Sequence, residues 1–244
     1  GVQTCALPIY KDASNLYWMD TTCGAVVNED SMLCINNSIT NIEGIQYFKN
    51  LKTLMCMQNK LTSLPTLPNT LKQLWCNNNN ITSINSLPTN LQRLECYDNK
   101  LTNLPILPNN LDTIICSNNL FTNYPAELYN WNGKMLDISF NQIDSINSLP
   151  TSLIFLQCTD NKLTSLPSLS SNLESLAINN NLITSVPALP NTLKGLYCEN
   201  NKLNSLPQLP TTLTQLYCAG NSLSCLPLLP PSLQRLNEIG RAHV

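Results

Sequence analysis

The chain carries a repeat of twenty residues that runs from Leu51 to Leu233. Counted from the first leucine of each repeat, position 4 is Leu or Ile, position 6 is usually Cys and position 9 is always Asn. An earlier repeat fits the same frame through Met32, Cys34 and Asn37, so the frame describes ten repeats and the start of an eleventh. A short fixed period predicts a solenoid, because each repeat can bury its apolar side chains only against its neighbours.

The spacing of the apolar positions predicts the local structure of each repeat. Positions 4 and 6 place their side chains on one face of a short strand, since successive side chains of a strand alternate between two faces. The stretch Leu-Pro-x-Leu-Pro at positions 14 to 18 fixes φ near about −65° and removes backbone donors. It therefore predicts extended, polyproline-like turns and little or no helix.

The unit LxxLxCxxNxLxxLPxLPxx resembles the leucine-rich repeat of the short bacterial type. The Cys at position 6 and the lead-in from Ile39 to Leu51 are similar to secreted and surface proteins of Bacteroidetes-type bacteria. The Leu-Pro-x-Leu-Pro turns also resemble secreted bacterial effectors, which carry an aliphatic residue where this chain has Cys. The resemblance implies a leucine-rich repeat solenoid with a curved parallel β-sheet on its concave face and extended turns on its convex face.

Both ends of the chain translate a common sequencing-adapter string, in frame. We therefore interpret residues 1–9 and 238–244 as adapter and leave them out of the fold reasoning. Residues 29–237 are predicted to form the solenoid, cut within its eleventh repeat. Residues 10–28 lack the frame, and we predict either a cap, with apolar side chains laid over the first strand, or a linker.

The composition argues against several functions. Charged residues make up 11% of the chain and the net charge is −2, whereas a nucleic-acid partner calls for a basic stripe. No apolar run approaches the roughly 20 residues of a membrane span. The single His, His243, lies in the predicted adapter, so no general base is present for a nucleophilic triad. We expect a monomer with no enzymatic activity, no cofactor and no metal.

Cysteine is the most unusual component, with eleven residues. Eight of them occupy position 6, and we expect these to act as small buried hydrophobic residues. Cys23 and Cys34 frame the start of the solenoid and are a possible disulfide if the compartment is oxidising. Cys225, at position 13, is the best candidate for an exposed thiol.

Position 9 predicts a structural ladder of asparagines. A buried amide at this point can hydrogen-bond the backbone as the chain leaves the strand, and stacking favours the same amide in every repeat. The ladder comprises Asn37, Asn59, Asn79, Asn99, Asn119, Asn141, Asn161, Asn181, Asn201 and Asn221.

Positions 3, 5, 7 and 8 are expected to face the concave side, where ligands would bind. A first patch of apolar and aromatic residues comprises Met55, Met57, Trp75, Tyr97 and Ile115. Tyr197 and Tyr217 form a smaller second cluster, and polar residues such as Asp137 and Gln157 lie between the two. Exposed Trp, Tyr and Met are typical binding anchors. The alternative is that this face simply tolerates varied residues.

These patterns predict a protein- or glycan-binding module of a bacterial protein that is secreted or lies on the cell surface. One alternative is the substrate-recognition domain of a secreted effector whose catalytic domain lies outside this fragment. Another is a purely structural spacer, which would have no specific partner.

Overall fold

The computed structural model describes residues 9–11, 17–19 and 28–238. Two short strands, β1 (Ile9–Lys11) and β2 (Tyr17–Met19), pair antiparallel ahead of the repeats. The repeats supply eleven strands of three residues each. They are β3 (Ser31–Leu33), β4 (Thr53–Met55), β5 (Gln73–Trp75), β6 (Arg93–Glu95), β7 (Thr113–Ile115), β8 (Met135–Asp137), β9 (Phe155–Gln157), β10 (Ser175–Ala177), β11 (Gly195–Tyr197), β12 (Gln215–Tyr217) and β13 (Arg235–Asn237).

The chain divides into two compact units, Gly1–Cys116 and Ser117–Val244. In the first unit, β3 to β7 pair in parallel, with position 4 of each strand opposite position 4 of the next. In the second unit, β8 to β13 pair in the same parallel register. The predicted leucine-rich repeat solenoid of parallel strands is confirmed.

The core consists of the same few positions in every repeat. In the repeat that begins at Leu71, the side chains of Leu71, Leu74, Cys76 and Ile81, at positions 1, 4, 6 and 11, are all 0% exposed. Position 14 is nearly as well buried, as Ile84 shows. Because the repeats stack in register, each side chain packs against its counterparts in the repeats beside it, which is how a short unit acquires a continuous core.

Proline and short 3₁₀ helices form the turns. The carbonyl of the position-18 proline accepts the N–H of the next position 1, as from Leu71 to Pro68 at 3.0 Å. The two repeats that are longer by two residues use them to form the 3₁₀ helices Ile45–Tyr47 and Ala126–Asn130. None of the described helices is long and apolar enough to cross a membrane.

Position 8 adopts the left-handed conformation in every repeat that the structure describes as far as Gly220. The φ angles at this position lie between 51° and 57° for nine residues and reach 68° at Gly220. The nine residues are Asn36, Gln58, Asn78, Asp98, Asn118, Phe140, Asp160, Asn180 and Asn200. Asn, Asp and Gly tolerate this conformation best, which explains why they dominate the position.

The predicted cap and the predicted adapter ends lie mostly outside the described residues. Of 10–28, the structure gives the pairing of β1 with β2, and residues 1–8 and 239–244 are not described. Both interpretations stay predictions.

Candidate ligand-binding face

The position-9 asparagines connect each repeat to the one before it. Asn79 donates from Nδ2 to the carbonyls of Cys56 and Cys76 at 3.0 Å each, and its Oδ1 accepts the N–H of Leu61 at 3.0 Å. The same pattern recurs at Asn99 and, in the second unit, at Asn161. These amides thereby satisfy buried backbone groups where the chain leaves each strand.

The first member of the predicted ladder is placed differently. Asn37 is exposed, whereas Asn59 is 8% exposed. The backbone N–H of Asn37 donates to Oδ1 of Asn59 at 3.1 Å, and Asn59 Nδ2 donates to the carbonyl of Cys34. Asn37 thus contributes its backbone to the ladder.

The position-6 cysteines line the core, and burial makes their thiols weaker acids than an exposed thiol. Burial raises the pKa of Cys56 to about 12 and that of Cys158 to about 12, and it raises the pKa of Cys76 well above its ordinary value. Cys225 is exposed, as the sequence predicts. Cys34 is buried, but Cys23 lies outside the described residues, so the Cys23–Cys34 disulfide stays a prediction.

Alkylation of the folded protein at pH 8 is expected to modify Cys225 rapidly and to spare the buried thiols. Cys56, Cys76, Cys158 and Cys198 are expected to react only when denaturant is added, because the reactive thiolate is disfavoured by burial. Peptide mapping after iodoacetamide treatment measures this residue by residue. Native labelling of Cys158 as fast as that of Cys225 would contradict the packing of position 6.

The raised thiol pKa values also predict a direction for the pH dependence of stability. The folded state holds the thiol protons more tightly than the unfolded chain does. The stabilisation that results from this difference in proton binding is fully present below about pH 9. It is lost as the pH rises from about 9 toward 12, and the free energy of unfolding falls across this window.

The first patch occupies neighbouring strands of the first unit. The register places Met55 opposite Trp75, and Glu95 between Trp75 and Ile115. Met55, Trp75 and Ile115 are half-buried at position 5, as are Met57 and Tyr97 at position 7. The structure therefore places all five predicted residues on adjacent strands or two residues beyond their ends, on the solvent side of the sheet.

Two polar residues interrupt this patch. Glu95 pairs with Arg93, whose Nε and Nη2 both lie 2.7 Å from the same carboxylate oxygen. Asn77 lies at position 7 between Met57 and Tyr97 and is only 3% exposed.

Desolvation raises the pKa of Tyr97, and the nearby carboxylates of Glu95 and Asp98 raise it further. The patch therefore combines aromatic surface with negative charge.

The second cluster is a stacked pair in the second unit. The rings of Tyr197 and Tyr217 have centroids 5.2 Å apart and an interplanar angle of 23°. The Tyr197 hydroxyl donates to Gln215 Oε1 at 2.6 Å. A Cβ at Gly195 would lie 3.0 Å from the Tyr197 ring, so this glycine leaves the room that the ring occupies. Tyr197 is thus held by Gln215 of the neighbouring strand β12 and by the stacked ring of Tyr217.

Sequence reasoning missed two exposed phenylalanines in the second unit. Phe140 is 56% exposed at position 8 with φ 54°, and Phe155 is 41% exposed at position 3. A bulky aromatic residue in the left-handed conformation is an outlier worth a functional explanation. The signal was available, because every other position 8 from Asn36 to Gly220 holds an amide, an acid or glycine.

The structure also contains an open groove that no prediction identified. It has a volume of about 470 Å³ and lies at the turns of the first unit, among Thr62, Ser63, Pro65 and Asn85. Its lining is mostly polar, and none of the predicted ligand-binding residues contributes to it.

Taken together, the parallel strands, the repeated core positions and the asparagine ladder define a solenoid repeat protein. The family model for leucine-rich repeats in two copies matches residues 49–89. The described repeats therefore have the leucine-rich repeat fold, and they resemble repeats of the short bacterial type. No curated protein sequence matches it.

Solved structures support this assignment. YopM from Yersinia enterocolitica WA-314 is 32% identical, with a TM-score of 0.80 over 87% of this chain and 47% of that chain. YopM from Yersinia pestis, described as a leucine-rich effector protein, is 29% identical, with a TM-score of 0.80 over 86% of this chain and 59% of that one. This chain thus spans less than two thirds of the length of either YopM structure. An internalin from Listeria monocytogenes shares the fold at 17% identity, with a TM-score of 0.70 over 94% of this chain and 72% of that chain.

Proposed function

We propose that this chain is a ligand-recognition module of a bacterial protein and that it binds a protein or glycan through the first patch. The observation that carries the proposal is the grouping of five half-buried side chains on four adjacent repeats, namely Met55, Met57, Trp75, Tyr97 and Ile115. Trp and Tyr are common energetic anchors of protein interfaces, and Met is enriched there. Five such partly exposed side chains grouped on one face are typical of an interaction site, although Glu95 and Asn77 lie among them.

The expected result for Trp75→Ala is a loss of affinity of at least tenfold, or about 1.4 kcal/mol, with no loss of folding. A partner is first identified by photo-crosslinking from position 57, and its Kd is then measured by calorimetry with purified components. Ile106→Ala is the matched control, because Ile106 is an apolar residue of the same unit that is 89% exposed on a turn. Equal affinity of the wild type and the Trp75→Ala variant would remove the first patch from the proposal.

We also propose that the module acts outside the bacterial cytoplasm, as a secreted or surface protein, and that it works as a monomer. The support for the location is its similarity to YopM, an effector protein. We propose no catalytic role for it, because the one histidine lies in the predicted adapter.

The second candidate function is that of the recognition domain of a secreted effector whose catalytic domain is not part of this sequence. The 32% identity to YopM favours it. Sequencing the gene outward from both ends distinguishes the two candidates. A signal peptide with a sorting or anchoring domain supports the surface protein, whereas a catalytic domain after the last repeat supports the effector.

A further inference from the structure

A chain of side-chain hydrogen bonds fixes the orientation of one amide inside the first patch. Asn78 donates from Nδ2 to Asp98 Oδ2 at 2.7 Å, and Asn77 donates from Nδ2 to Asn78 Oδ1 at 2.8 Å. An ionised carboxylate only accepts hydrogen bonds, so Asp98 sets the direction of both donations. Asn77 Oδ1 is consequently directed away from Asn78 and Asp98.

This oxygen has no hydrogen-bond partner, although Asn77 is 97% buried (3% exposed). Other position-7 side chains show that the site offers a partner within the protein. Asn179 Oδ1 accepts the backbone N–H of Glu199 at 2.8 Å, and Ser139 Oγ accepts that of Thr159 at 3.2 Å. The amide of Asn77 is instead oriented by its hydrogen bond to Asn78. A buried acceptor that has no hydrogen-bond partner requires an explanation.

The surroundings of Asn77 indicate which kind of hydrogen-bond donor would suit its unpartnered Oδ1. Its register neighbours at position 7 are Met57 and Tyr97, and Trp75 precedes it by two residues on the same face. At positions 3, 5, 7 and 8 of the first unit's described repeats, the charged residues are the two carboxylates Glu95 and Asp98 and one guanidinium, that of Arg93. Aromatic rings, carboxylates and an open carbonyl oxygen form a set that suits a cation on an apolar stem.

We propose that the first patch binds an arginine side chain of a protein partner. The aliphatic stem lies over Trp75 and Met57, and the guanidinium donates to Asn77 Oδ1 and faces Glu95 and Asp98. Arginine fits because its planar group stacks on aromatic rings while it donates in several directions. Because Asn77 Oδ1 is shielded in the free protein, binding requires a neighbouring side chain to move, and we expect the flexible Met57 at the adjacent position 7 to do so. This inference rests on the proposed function and specifies the ligand of the same site.

The test is a titration of the full chain with blocked amino acids, followed by ¹H–¹⁵N NMR. The probes are N-acetyl-arginine amide, its neutral isostere N-acetyl-citrulline amide and the apolar N-acetyl-norleucine amide. The arginine probe is expected to bind at least fivefold more tightly than either of the others and to shift the Asn77 side-chain amide and the Tyr97 backbone amide. Equal binding of all three probes overturns the inference.

Variants locate the effect. Asn77→Leu is expected to abolish the preference for arginine over norleucine, and Asp98→Asn to reduce it, since Asn78 is then free to reverse its amide. Asn179→Leu is the matched control, because it alters the same residue type at the same position but in the other unit, and it leaves the preference unchanged. A preference that survives both Asn77→Leu and Asp98→Asn also overturns the inference.

The outcomes separate this inference from the proposed function. If norleucine binds as well as arginine and Trp75→Ala weakens both, the patch is a binding site without selectivity for cations, and only the inference fails. If no probe binds and Trp75→Ala leaves the affinity for the cross-linked partner unchanged, both fail.

Discussion

Replacing Asn79 by leucine is expected to lower the free energy of unfolding by roughly 2–5 kcal/mol. The carbonyls of Cys56 and Cys76 each keep a second amide donor, from Asn59 and Asn99 respectively. The N–H of Leu61, in contrast, loses Asn79 Oδ1, its acceptor at 3.0 Å, in a place where the leucine side chain is fully buried. An unsatisfied buried donor together with the lost bonds accounts for the magnitude.

Two measurements check this expectation. Urea denaturation followed by circular dichroism reports the overall loss, and hydrogen exchange of the Leu61 amide reports the local one, since repeat proteins can unfold in segments. Asn109→Leu is the control, because Asn109 is exposed in a turn of the same unit, and its effect is expected within about 0.5 kcal/mol. A change below about 1 kcal/mol for Asn79→Leu, with normal protection of Leu61, would show that the ladder is not a main source of stability.

Phe121→Ala is expected to cost about 3–5 kcal/mol, the range found when a buried aromatic residue is truncated. Phe121 is fully buried and is one of the largest side chains in the core. It occupies position 11, where the other repeats carry leucine or isoleucine. Its backbone bonds to Asn141 and Gln142 do not depend on the side chain, so the loss is one of packing.

Chemical denaturation of two further variants makes the comparison quantitative. Phe121→Leu restores the residue that the frame prefers, and a smaller loss of about 1–2 kcal/mol is expected from the residual space. Phe140→Ala removes the same side chain from an exposed position, with an expected change within about 0.5 kcal/mol. Equal losses for Phe121→Ala and Phe140→Ala would refute the assignment of position 11 to the core.

Much of the candidate site was predictable because a solenoid is nearly one-dimensional. Equivalent positions of consecutive repeats become neighbours, so the spacing of twenty residues alone places Trp75 beside Met55 and Tyr97 two strands from Met57. The burial of Cys56 and the exposure of Cys225 follow from their positions in the same frame. The left-handed conformation at position 8 could also have been predicted, because most repeats carry an amide or an acid there.

Other features depend on how individual side chains meet. The sequence places Asn77 and Asn179 at equivalent positions, yet only Asn179 satisfies its oxygen with the backbone. The difference arises from Asn78 and Asp98, which together set the direction of the Asn77 amide. Likewise, Tyr197 can lean over its own strand because position 3 of that repeat is glycine. A repeat pattern predicts the face of the sheet on which a residue lies, but it does not predict the direction in which a side-chain amide donates its hydrogen bond.

The period, the strand positions, the core and the asparagine ladder could all be predicted from the amino-acid sequence, because each of these features recurs in every repeat and each repeat supports the same interpretation. Which side chains of this face have hydrogen-bond partners, which are stacked and which polar atoms are left without a partner became visible only in the folded structure, because those properties depend on single contacts that occur once. The proposed binding face consists of such contacts, since recognition requires a solenoid to vary at the positions that its fold does not need to repeat.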